Sequence, residues 1–212
     1  MSPPIEPRPH DDLQRVIYDT HPWPLMGAGD VAFHEAGHVV IGLTLGMPCH
    51  DARITPEGTA GRAGVMNPVN DKSITTTTPQ PPVEVSEIYQ QTSKVIWPGM
   101  PPAAAALNNA TMLVAGRQAE LIHAGIRLTG TLHMHDADHQ QARAILLASG
   151  QRLAMCWAQR MARHLLTSAW PEVEAIAAEL RSTGTWTNPV AWARQASPSK
   201  LLQANNASRQ FI

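Results

Sequence analysis

The sequence predicts a mainly α-helical domain with one small β-sheet, an α+β architecture, and three observations carry that prediction. Several long segments place apolar residues at helical spacing and end at a glycine. Between Pro48 and Asn67 the pattern shifts to short strand-like runs separated by turn residues. Hydrophobic residues make up 43% of the 212, enough for a substantial core, while the 18 prolines gather outside the helical stretches. The expected organisation is a proline-rich N-terminal arm over 1–28, one domain over 29–196 containing a Pro/Thr-rich loop at about 68–102, and a tail over 197–212.

Taken in order, the arm holds a short helical stretch at 11–18. A helix follows over about 30–45, with Asp30 as its N-cap and Gly46 as its stop. Asp51–Thr55 and Ala63–Met66 read as strands around the turn-rich Pro56–Gly61. The loop that follows contains a helical piece within 83–96. A second strong helix covers 103–124 and ends at Gly125, a third covers 138–165, and a fourth covers 170–182 with Pro171 in its first turn. A last short helix is expected after Asn188-Pro189. The two cysteines, Cys49 and Cys156, form no disulfide framework and suit a cytoplasmic protein. No signal peptide or membrane-spanning run is evident, and a formal net charge of −1 makes no case for nucleic acid or a membrane as partner.

The chemistry concentrates in Asp30-Val-Ala-Phe-His34-Glu35-Ala36-Gly37-His38. At 3.6 residues per turn, His34 and His38 lie about 40° apart on the helix surface and project side by side. Two imidazoles so placed can share a zinc ion, and Glu35, about 100° round the helix, reaches the same site without being a ligand. Gly37 in a helix interior costs about 1 kcal/mol relative to Ala, which argues for close packing or access there. A catalytic zinc wants a third protein ligand. The dense cluster of acidic and imidazole residues is His133, His135, Asp136, Asp138 and His139, and spacing does not choose among them. Asp138 serves equally well as a plain N-cap of the third helix.

These residues resemble the protease domain of FtsH-type zinc metalloproteases. Phe33-His-Glu-Ala-Gly-His38 and the apolar run to Gly46 look like its zinc helix. Ile54-Thr-Pro-Glu-Gly with Gly61-Arg-Ala-Gly-Val-Met66 looks like its strand pair, and Ala115-Gly-Arg-Gln-Ala-Glu120 like its Ala-Gly-Arg-x-Ala-Glu helix. Asp138-His-Gln-Gln-Ala142 looks like its metal-binding aspartate and the helix it begins, and Trp170 to Leu180 like a late helix. The resemblance spans most of 28–185 and implies a helical, zincin-like peptidase fold. It implies His34, His38 and Asp138 as zinc ligands and Glu35 as the catalytic carboxylate, with Glu120 available to orient an imidazole. The chain departs from the family in having no P-loop and no spanning helix, and in replacing the run before the aspartate by Thr131-Leu-His-Met-His-Asp-Ala137, which leaves Asp136, His133 and His135 as rivals.

The implied activity is zinc-dependent peptide-bond hydrolysis, with a zinc-activated water and Glu35 as general base. The implied partner is a peptide or unfolded protein, supplied on its own or by a separate ATPase. The family's hexamer is not carried over, which leaves homo-oligomer formation open. The competing expectation is a non-proteolytic zinc-binding module that keeps the fold for regulation or interaction.

Overall fold

A computed structural model describes residues 16–18, 28–58, 60–65, 90–91, 93–126, 131–133 and 136–188. Helix α1 (Ala28–Thr44) lies at its centre. Ala32, Phe33, Ala36, Val39, Val40 and Ile41 are all buried, the pattern of a helix enclosed on most sides. It packs on α2 (Pro102–His123) and α5 (Trp170–Thr183), while α2 packs in turn on α3 (Ala137–Ala148) and α4 (Met155–Ser168). Gly46 ends α1 in a left-handed turn at φ 78°, and Trp97 Nε1 donates to the Leu45 carbonyl at 2.8 Å, satisfying one of the oxygens a helix end leaves open. Asp30 lies inside α1, which begins two residues earlier, so the expected N-cap is not one.

The sheet against α1 has three antiparallel strands, ordered β3 (Gly61–Val65), β2 (Cys49–Ile54), β5 (Thr185–Thr187). The expected pair is there, with Ile54 opposite Gly61 and Ala52 opposite Ala63; β5 adds a strand the sequence reading lacks. Three residues after the left-handed Gly184 carry too little pattern to announce a strand. A second, parallel pair joins β1 (Val16–Tyr18) to β4 (Thr131–His133). It corrects the expected helix at 16–18, the described part of the 11–18 stretch, because Val-Ile-Tyr is β-branched and aromatic and finds a partner strand far along the chain.

The expected third helix is two helices. Gly150, at φ 78°, turns the chain after α3, with Gly150 N–H donating to Leu147 and Gln151 N–H to Leu146, and α4 starts afresh at Met155. Pro171 sits in the first turn of α5 as expected, and Gly125, at φ 68°, follows the end of α2. The described part of the 83–96 stretch is helical at 90–91 and 93–96. The proline-rich stretches at 1–15 and 66–82, the helix expected after Asn188 and the tail lie outside the described residues. Among those described, no helix is long and apolar enough to cross a membrane.

Candidate metal centre

α1 and α2 approach so closely that two glycines are required. A Cβ on Gly37 would lie 2.8 Å from both the Ala115 carbonyl oxygen and the Ala119 Cβ. One on Gly116 would lie 2.5 Å from His34 Nε2 and 2.6 Å from His38 Nε2. Each glycine weakens its helix by about 1 kcal/mol relative to Ala, and each lets the two backbones close over the imidazoles. Gly116 is a residue that sequence reasoning missed as part of the site. Its signal was available, since a glycine in mid-helix with no turn to make asks for a close neighbour.

The imidazoles are held by their Nδ1 atoms. His38 Nδ1 donates to the Met112 carbonyl at 2.8 Å; because a carbonyl only accepts, the proton sits on Nδ1. His34 Nδ1 donates to Glu120 Oε1 at 2.8 Å, and Arg117 Nη1 pairs with the other oxygen of Glu120 at 2.6 Å. Both Nε2 atoms are thereby turned to a common point. They lie 3.0 Å apart, and Asp138 Oδ2 stands 3.1 Å from His34 Nε2 and 3.3 Å from His38 Nε2.

Asp138 occupies the first turn of α3, whose N-cap is Asp136, with φ −69° and ψ 163° and a side chain that accepts from the His139 N–H. The capping role that competed for Asp138 therefore belongs to Asp136. Of the rival ligands, Asp136 faces His139, His135 lies outside the described residues, and only the backbone of His133, in β4, is described. Among the described residues, His34, His38 and Asp138 form the one cluster of His, Cys, Asp and Glu whose ligand atoms all lie within 4.8 Å.

That arrangement suits a cation. With both Nδ1 atoms protonated, neutral imidazoles present two lone pairs to each other and to a carboxylate, three acceptors facing inward with no donor between them. Tetrahedral coordination at zinc–nitrogen and zinc–oxygen bond lengths sets the ligand atoms about 3.3 Å apart, close to the 3.0–3.3 Å found here. Without an ion, a proton must serve. Burial alone would lower the pKa of His34, but the hydrogen bonds to Asp138 and Glu120 outweigh it and raise it well above 6.5; His38 is raised in the same way, chiefly by Asp138. Burial would raise the Asp138 pKa, yet the two imidazoles hold it far below the ordinary carboxylate range. The donor set is not specific to zinc.

Glu35 is buried on the adjoining face of α1, where desolvation raises its pKa against the opposing pull of His38 and His34. Gly61, the first residue of β3, lies so close that a Cβ there would come within 2.6 Å of Glu35 Cγ and 2.7 Å of Oε1. β3 is an edge strand among the described residues, and its first residue stands beside that carboxylate. No protein-family model matches this chain, and a search of curated proteins finds no match.

Proposed function

We propose that this chain is a zinc-dependent metallopeptidase with the helical fold of the FtsH-type protease domain, acting on extended or unfolded peptide. The observation that carries the reading is the inward-facing triad of His34 Nε2, His38 Nε2 and Asp138 Oδ2, with both remaining imidazole nitrogens committed elsewhere. Those three atoms would hold the ion. Bound there, zinc supplies Lewis acidity, lowering the pKa of water towards neutrality and polarising a carbonyl.

The chain's own residues account for the rest. Glu35 is a carboxylate whose buried setting raises its proton affinity, which suits a group that takes a proton from water and returns it to a leaving amine. Glu120 and Met112 keep the imidazoles in the tautomer that leaves Nε2 free. The free edge of β3 offers backbone N–H and C=O groups to an extended peptide and would lay it past Glu35, a placement that the family resemblance also supports. A peptide bound by its backbone has to be unfolded there, so a folded client would need a separate ATPase to open it.

Glu35→Gln tests the reading. The variant should retain stoichiometric zinc, measured by atomic absorption, and lose about 10²- to 10⁴-fold in cleavage of an unfolded casein-type substrate. Undiminished cleavage by the zinc-loaded variant would overturn the mechanism. A zinc-loaded native protein that cleaves nothing would favour the non-proteolytic module.

A further inference from the structure

Asp138 lies in the first turn of α3, where the backbone N–H groups have no partner within the helix and where helices fray. A metal ligand at that position has to be steadied by something else. Asp136 Oδ1 accepts twice from His139, from its backbone N–H at 2.8 Å and from its ring Nδ1 at 3.0 Å. The ring is only 1% exposed, and its other nitrogen, Nε2, is buried without a hydrogen-bond partner, so the bond to Asp136 is the ring's polar tie among the described residues. Neighbouring positions on a helix point about 100° apart. With the His139 ring fixed on one side of α3, Asp138 is directed about a quarter turn away from it, towards His34 and His38. An N-cap needs the bond to the backbone alone. The second bond, to a buried ring, is what a cap does not require.

We propose that Asp136 and His139 are positioning residues of the metal centre, a carboxylate–imidazole clamp that sets the rotation of α3 about its axis and thereby the place of Asp138 Oδ2. The inference rests on the reading of His34, His38 and Asp138 as metal ligands. It assigns a use to the chain's departure from the family pattern just before the aspartate.

The test is titration of the full chain with Co²⁺, following its visible d–d absorption. Affinity comes from competition with a chromophoric chelator, and helix content and Tm are recorded on the same samples. Asp136→Ser keeps an oxygen for the His139 N–H but is too short for the ring; His139→Phe keeps the buried bulk but loses the ring nitrogen; Asp136→Asn keeps both acceptor contacts. Asp136→Ser and His139→Phe should lower Co²⁺ affinity about 10- to 100-fold and alter the d–d band, while Asp136→Asn stays near the native protein. Native affinity and spectrum in Asp136→Ser and His139→Phe would overturn the clamp and leave a simple cap. A loss in Asp136→Asn equal to that in Asp136→Ser would also overturn it, since the charge of Asp136 rather than the clamp would then be responsible. If His139→Phe does not fold, Asp136→Ser, which keeps the cap, decides. A native protein that takes up no Co²⁺ would overturn the metal-centre reading itself, whereas a native protein that loads alongside variants that load identically overturns this inference alone.

Discussion

The two imidazoles and the carboxylate of the metal centre are held in different ways. His34 and His38 belong to a crossing of two long helices, where Gly37 and Gly116 bring backbone against backbone and the imidazoles are wedged between α1 and α2. Asp138 belongs to the tip of a shorter helix and is steadied by local side-chain bonds at Asp136 and His139. A crossing of this kind resists distortion because packed interiors have no spare volume, and it fails abruptly when volume is added. A tip held by hydrogen bonds loosens by degrees. The first arrangement sets where the ion would sit, and the second completes its ligand set.

The sharpest way to break the crossing is Gly116→Ala. Its added methyl would sit 2.5–2.6 Å from both Nε2 atoms, although the substitution improves helix propensity by about 1 kcal/mol. We expect metal affinity to fall by more than about 100-fold, read by chelator competition, and the fold to weaken by about 1–3 kcal/mol in urea unfolding; unchanged affinity would mean the imidazoles do not converge under α2. Glu120→Ala comes next. It removes the oxygen that accepts from His34 Nδ1 and the carboxylate paired with Arg117 Nη1, for an expected loss of about 10- to 100-fold in affinity by the same competition assay. Gly37→Ala presses on the Ala115 carbonyl and Ala119 rather than on the imidazoles, so it should weaken the fold by about 1–3 kcal/mol in urea unfolding. Its effect on the metal should be smaller than that of Gly116→Ala.

The smallest expected effect is that of pH on the metal-free protein. Burial disfavours the charged imidazoles, but Asp138 and Glu120 raise the pKa of His34, and Asp138 that of His38, above 6.5. Their stabilisation is therefore fully present below about pH 6.5 and lost as pH rises through the folded values. Asp138, depressed by the imidazoles against the effect of burial, contributes above about pH 3.8 and loses that contribution as pH falls through its folded value. Metal-free Tm should thus decline by a few degrees between about pH 6.5 and 8, and Glu35, whose pKa burial raises, adds to the loss as pH rises above about 4.5. Metal affinity should rise over that same interval, as the ion replaces protons. A metal-free Tm that climbs from pH 6 to 8 would contradict the inward-facing triad.

What could be seen in the sequence divides along the same line. α1 and α2 were legible because long amphipathic runs, a His-Glu-x-x-His spacing and terminal glycines are all local signals. The α3 tip was not, since Asp136 and Asp138 are both good cap residues two positions apart, and only the fold assigns the cap to the first and frees the second. The break at Gly150 was hidden by flanking alanine, leucine, glutamine and arginine, which favour helix on both sides of it. β1 and β5 escaped for a related reason: each is three residues long and exists through its partner strand rather than through any pattern of its own.

The pairing of β1 with β4 bears on the order in which the molecule assembles. It registers Val16 with Thr131, strands from distant parts of the chain, and β4 ends shortly before Asp136 in the sequence. Closing so large a loop costs more chain entropy than closing a short one, by about 0.6 kcal/mol for each doubling of length. The α1–α2 crossing closes a smaller loop, and both its helices leave the ribosome before α3 has been made. In sequence order the imidazole half of the centre is complete before its carboxylate half, and Asp138 can join it only after α3 has been made.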